Sequence, residues 1–172
     1  EGAITLDADA TIGSSTSRRA EKRLTTITGN IGGDHDLALG AHKGLFRVTG
    51  VIAVGGGVTT NGPDTVVLHG ANTYAGNTVV ASGVLRLTAN EVVPDGDGKG
   101  LLEVSGVVDL NGFDESVNAI RGAGKIDIGK AGDTSTLRIG GNGASSTFAG
   151  SLANSGGRLE LVKLGSGTLT LS

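Results

Sequence analysis

The chain has 172 residues, of which 32 are Gly, 3 Phe, 1 Tyr and none Trp, Cys or Met. A formal net charge of −3 and a pI near 5.5 give no general attraction to nucleic acid or to an anionic membrane. Without Cys there is neither a disulfide nor a thiolate metal site, and no apolar run approaches the ~20 residues that cross a bilayer as a helix.

The chain length allows one globular domain or one uninterrupted piece of a longer rod. The Gly content far exceeds the average of about 7%, and aromatic residues stop at Phe46, Tyr74, Phe113 and Phe148. Val, Leu, Ile and Ala supply the apolar residues, which suits a slim aliphatic interior over a core anchored by large aromatics. With Pro63 and Pro94 as the only prolines, collagen and Pro-rich linkers are excluded. Neither a secretory leader nor a Met is present, so a single segment over 1–172 excerpted from a larger precursor is expected.

In chain order, residues 2–12 alternate apolar and polar and read as one strand closing at Gly13 and the serines after it. Arg18 to Leu24 has helix-forming composition but is too short to stand as a helix. Strand character resumes at 24–28, 37–39, 45–49 and 51–54, then meets the turn signals Gly55–Gly57 and Asn61-Gly62. Residues 66–68 and 85–87 read as the first and third of three strands, with a Gly-Ala-Asn turn, a second strand and a Ser-Gly turn between them. A polar excursion over 91–100 follows, then strands at 102–104, 108–110, 117–120, 126–128, 137–139 and 159–161. Several carry an acid or base between two apolar residues, as in Val108-Asp109-Leu110, which points the charge outward.

Strands this short cannot bury a face alone, and stacking coil on coil hides each inward side chain against the next. A sandwich would use longer hairpin-linked strands and an aromatic-anchored core. The pattern predicts an all-β chain, a right-handed parallel β-helix (β-solenoid) of about seven or eight coils with roughly 20–25 residues each.

The stretch Thr65–Leu87 contains Thr-Val-Val-Leu, Gly-Ala-Asn-Thr-Tyr and Gly-Val-Leu-Arg-Leu in succession. Residues 162–172 begin the same pattern again as Gly167-Thr-Leu-Thr-Leu-Ser172. Residues 65–88 and 162–172 resemble the autotransporter-associated β-strand repeat family of Gram-negative passenger regions, with looser likeness over 1–64. The resemblance implies an exported β-helical stalk with adhesive or display roles and without catalytic residues; Tyr74 becomes a packing or corner residue.

Asp95-Gly-Asp-Gly-Lys-Gly100 alternates Asp and Gly like a calcium loop, but Lys99 and Gly106 stand where an EF-hand needs oxygen ligands. Residues 32–37 echo a β-roll calcium repeat once only. A solvated turn is the plainer reading of both. His35 with Asp34 and Asp36, or His42 with Lys43, could serve acid–base chemistry, yet no nucleophile motif accompanies them. Asp109, Asp127 and Glu160 could form a carboxylate cluster, or could keep the outer surface charged against aggregation. Arg18, Arg19, Lys22 and Arg23 could contact anionic glycans, or form a solvated loop. The corner residues Asn72, Asn77, Asn111, Asn118, Asn142 and Asn154 could stack as amide ladders, or be present because Asn tolerates left-handed turns.

No catalytic or metal residue, no cofactor and no nucleic-acid partner is expected, and no binding residue can be assigned. The expected function is a structural stalk at the outer surface of a Gram-negative bacterium, partnered by adjacent coils or by copies of itself end to end. The alternatives are a module that binds host or matrix glycans through corner loops (17–24, 91–100) and a carbohydrate-active β-helix enzyme.

Overall fold

A computed structural model describes residues 2–14 and 23–172. The basic residues 18, 19 and 22 lie outside the described residues, as does the expected loop they belong to. Arg23 is described only as the first backbone position of a strand. Among the described residues there is no helix, and every strand pairing is parallel.

Each coil visits three faces. The first coil holds β1 (Ile4–Leu6), β2 (Ala10–Gly13) and β3 (Arg23–Ile27). The second holds β4 (Ile31–Gly33), β5 (Leu37–Gly40) and β6 (Gly44–Val48), and the third β7 (Ile52–Val54), β8 (Val58–Asn61) and β9 (Thr65–Leu68). Coils four and five have strands on two faces only: β10 (Thr78–Val80) with β11 (Val84–Leu87), then β12 (Leu102–Val104) with β13 (Val107–Asp109). Three-strand coils return with β14 (Glu115–Val117), β15 (Ile120–Arg121) and β16 (Lys125–Asp127), then β17 (Thr134–Ile139), β18 (Ser146–Phe148) and β19 (Ser151–Ala153). An eighth, partial coil carries β20 (Arg158–Lys163) and β21 (Leu169–Leu171).

Coil length varies with the corner loops. Leu102 pairs with Ile120, 18 residues on, whereas Ile4 pairs with Ile31, 27 residues on. The third face is continuous through seven strands, β3-β6-β9-β11-β13-β16-β19. Its inward column Phe46, Val66, Leu85, Val108, Ile126 is fully buried or within 1% of it, so each coil covers the apolar floor of the last. Burial of that aliphatic surface is the main favourable term, at about 25 cal/mol per Å².

The glycine content has a geometric cause at two corners. An added Cβ at Gly50 would overlap the carbonyl oxygen of Gly29, and one at Gly29 that of Gly2, so these corners stack backbone on backbone. The corner leading into the third face repeats this with Gly124 against Gly106 and Gly150 against Gly124.

Two strand expectations are corrected. The strand expected over 2–12 is broken into β1 and β2, because residues 7–9 turn a corner between faces. The strand expected over 117–120 is split between β14 and β15, with Asn118 and Ala119 at the corner.

Candidate functional site

The motif at 65–87 builds one complete turn. Its first strand, β9, lies directly against its last, β11, pairing Thr65 with Val84, Val66 with Leu85, Val67 with Arg86 and Leu68 with Leu87. The Gly-Ala-Asn-Thr-Tyr segment between them occupies the first face without forming a strand. Thr73 and Ala75 still donate backbone N–H to Ile52 and Val54 of the previous coil. Asn72 completes the ladder with its side chain: Oδ1 accepts from Ile52 N at 2.8 Å and Nδ2 donates to Val92 O at 2.8 Å. Asn72 is 7% exposed, so those bonds satisfy an amide that burial would otherwise penalise.

Tyr74 is fully buried, with its hydroxyl 2.5 Å from Thr78 Oγ1. Burial pushes its pKa upward, further raised by Glu115 and partly opposed by the Thr78 contact. Glu115 is itself fully buried and points inward in register with Leu137. Its two oxygens accept from Val92 N at 2.9 Å and Val93 N at 3.0 Å. Burial pushes its pKa up to about 8 against those two donors, with Glu91 and Asp95 adding to the rise. Tyr74 and Glu115 are both fully buried; the Tyr74 contact stays within one coil, whereas Asn72 and Glu115 tie one coil to another.

On the outer side of the third face Arg86, Asp109 and Asp127 stand in register. Asp109 Oδ2 lies 2.7 Å from Arg86 Nε, and Oδ1 accepts from Asn111 N and Gly129 N. Asp127 meets Lys125 Nζ at 2.5 Å and accepts from Ser155 N and Ser155 Oγ. Burial alone would raise the Asp127 carboxyl, but its donors outweigh that and hold it at about 2. The outward acids are therefore not solvated as expected: both are 6% exposed, because an outward side chain on a stacked coil can be covered by its neighbours. Glu160 pairs in register with Thr136 on the first face, so the three carboxylates do not converge.

The other candidates are also distributed. Asn118 of the next coil holds the 95–100 loop, accepting from Gly96 N and donating to the carbonyls of Gly96, Lys99 and Gly100. Asp36 Oδ1 accepts from Gly57 N at 2.6 Å, and His35 Nδ1 lies 3.6 Å from Asp9 Oδ1. His42 is exposed and its backbone N donates to Ser14 Oγ. Among the described residues no group of three His, Asp or Glu side chains is placed to hold a metal ion. The corner residues Asn72, Asn77, Asn111, Asn118 and Asn142 bond to other partners and not to one another: Asn77 accepts from Leu101 N, Asn111 donates to Leu87 O, and Asn142 closes its own turn at Ala144. Asn111 has φ of 52°, the left-handed conformation that Asn tolerates.

The second face presents two open troughs. One, of about 450 Å³, runs over Thr11, Ala38, Thr59 and Val79 with Asp9 and Asp36 on its rim. The other, of about 430 Å³, is lined by Arg121, Thr147, Thr168 and Thr170 among others.

Residues 58–87 and 161–172 match the family model of the passenger-associated-transport-repeat. The chain carries autotransporter passenger repeats. Over 125 residues, 72% of its length, it is 34% identical to the adhesin BmaC autotransporter of Brucella suis biovar 1 (strain 1330), and the match covers 4% of that protein. No solved structure matches the chain.

The two passenger repeats occupy different faces. Thr65–Leu68 forms β9 on the third face, whereas Leu169–Leu171 forms β21, which pairs with β18. β18 in turn is bridged to the second face through Gly122 and Phe148. The motif thus specifies stacking, and does not present one particular side of the solenoid. The sequence reading missed Asn72, Glu115 and Asn118 as ties between coils. For Glu115 a signal existed, since alternation puts it on the same inward side as Val117.

Proposed function

We propose that this chain is a stalk segment of a Gram-negative surface or secreted passenger, which spaces or displays other parts of the protein and performs no catalysis. The observation that carries this reading is the use of the polar side chains. Asn72, Asp109, Glu115, Asn118 and Asp127, which would be obvious candidates for chemistry, are consumed in bonds from one coil to another. The mechanism is mechanical: backbone ladders run along the axis and aliphatic stacks fill the interior. In the partial eighth coil Leu161, Val162, Leu164 and Leu171 are exposed, and a further coil or a second copy stacked there would cover them.

Removing the segment from the full passenger tests the stalk. With coils about 4.8 Å apart, deletion of seven coils shortens the rod by roughly 34 Å in electron micrographs and leaves the remaining parts folded. An unchanged rod length would reject the stalk. A second reading, an adhesin-type binding module, is favoured by the likeness to a protein named an adhesin and by the open troughs of the second face. Loss of cell attachment on blocking that face, with rod length intact, would support it.

A further inference from the structure

Along the outer side of the third face, Arg47, Val67, Arg86, Asp109 and Asp127 follow one another in register from the second coil to the sixth. The acids are matched: Asp109 has Arg86 and Asp127 has Lys125. Arg47 has no carboxylate partner among the described residues, and its Nε is buried without any hydrogen-bond acceptor. No hydrogen bond or ion pair engages the rest of the guanidinium among the described residues, so its terminal nitrogens are left to meet an anion with charge-assisted hydrogen bonds.

Arg47 lines an open cleft of about 290 Å³ together with Thr49, His69 and Thr88. The hydrogen bonds around the cleft settle what the other three can offer. Thr49 Oγ1 donates to Ile27 O at 3.4 Å, and Thr88 Oγ1 donates to Leu68 O at 3.1 Å. His69 Nδ1 donates to Thr88 O at 3.0 Å. With their protons so engaged, both hydroxyl oxygens are left as acceptors, that of Thr88 also lying 3.2 Å from His69 Nδ1 and keeping one lone pair for a ligand. The cleft therefore sets a cationic donor beside neutral acceptors.

We propose that this cleft binds an acidic sugar unit of a glycan, with the carboxylate or sulfate of the sugar on Arg47 and its ring hydroxyls donating to Thr49 and Thr88. A bare inorganic anion would use Arg47 and leave the hydroxyl oxygens without donors, whereas a neutral sugar would leave Arg47 unpaired. The site is separate from the second-face troughs. The stalk reading depends on rod length and this site on binding, so one can fail without the other.

The test titrates the folded protein with an oligouronate, with the neutral oligosaccharide of the same linkage, and with inorganic sulfate, all at one ionic strength, following the His69 ring resonances by NMR. The oligouronate is expected to bind at least tenfold more tightly than either of the others. Arg47→Gln is expected to lose at least tenfold in oligouronate affinity, while Arg158→Gln, which removes an equal charge from a side chain 75% exposed and outside the cleft, changes it less than twofold. Joint Thr49→Val and Thr88→Val substitution should weaken the oligouronate and leave the response to sulfate unchanged. Should Arg47→Gln fail to fold, Arg47→Lys takes its place, with the same loss expected because a compact ammonium does not reproduce the planar fork of terminal N–H donors. Equal binding of the neutral sugar, equal losses at positions 47 and 158, sulfate binding as tight as oligouronate, or no response from any probe would each overturn the proposal.

Discussion

The third and first faces of the solenoid solve the same problem by different means. On the third face seven consecutive strands hydrogen-bond through their backbones, and the inward column from Phe46 to Ile126 is wholly apolar. On the first face the strands stop after β7 and resume at β14, so two coils have none. There the ladder runs through side chains: Ile52 N to Asn72, Asn72 to Val92 O, and Val92 N and Val93 N to Glu115. A buried backbone N–H must find an acceptor wherever it lies. Where the repeat motif turns instead of extending, an amide and a carboxyl supply the missing acceptors. Continuity of a solenoid therefore does not require a strand on every face of every coil.

The largest expected effect separates these two solutions. Glu115→Ala removes the acceptors of two buried N–H groups and leaves a void, and is expected to cost about 3–5 kcal/mol in urea unfolding. Leu85→Ala on the third face removes only apolar contacts and should cost about 2–4 kcal/mol. Hydrogen exchange distinguishes them further: Glu115→Ala should release Val92 and Val93 selectively, whereas Leu85→Ala should loosen neighbouring coils on the third face. If Glu115→Ala proves as mild as an exposed substitution such as Ser151→Ala, the side-chain ladder carries no stability.

Next in size is the dependence on pH, in which the two faces pull in opposite directions. Glu115 has a folded pKa raised from 4.5 to about 8, so between those values the native state holds a proton that the unfolded chain releases. Its contribution to stability is therefore greatest below about pH 4.5 and is lost as pH rises towards 8. Asp127, on the third face, is lowered from 3.8 to about 2, so its contribution is present above pH 3.8 and is lost as pH falls towards 2. Together they place maximal stability on the mildly acidic side of neutrality, near pH 4–5. Urea midpoints from pH 3 to pH 8 should fall off on both sides, and Glu115→Gln should flatten the limb above pH 5 alone. A Glu115→Gln curve with that limb intact would show that another group causes it.

Much of this fold was legible because period-two alternation and glycine corners are local signals. The third-face column from Val66 to Ile126 follows directly from apolar residues separated by charged ones. The motif at 65–87 closes one turn because its two apolar ends are of equal length and the linker between them spans the other two faces. What was not legible depends on which coil lies next to which. Asp109 looks outward and solvated until Arg86 and Gly129 are seen to cover it from the coils on either side. Asn118 gives no hint of reaching back to residue 96, because corner loops of unequal length hide the register. The 95–100 loop resembled a calcium loop through its alternating Asp and Gly, whereas the side chain that organises it, Asn118, comes from the following coil.

The smallest expected effect concerns whether the outer charges of the third face matter as the inner ties of the first face do. Arg86 Nε lies 2.7 Å from Asp109, and the Arg86 side chain is 43% exposed while that of Asp109 is 8% exposed. Half of this pair stays in water, so its attraction is screened and its net worth is small, about 0–1 kcal/mol. Asp109 retains the N–H groups of Asn111 and Gly129 when Arg86 is removed, so its buried charge is not left bare. Arg86→Gln is therefore expected to lower stability by less than about 1 kcal/mol, with the difference from the parent shrinking between 50 mM and 500 mM salt. Removing the acid instead, as in Asp109→Leu, strands the two backbone donors and should cost more than Arg86→Gln at either salt concentration. Equal costs for the two substitutions would mean that the carboxylate serves Arg86 alone, and the outer column would then be a row of surface ion pairs and not a second set of ties between coils.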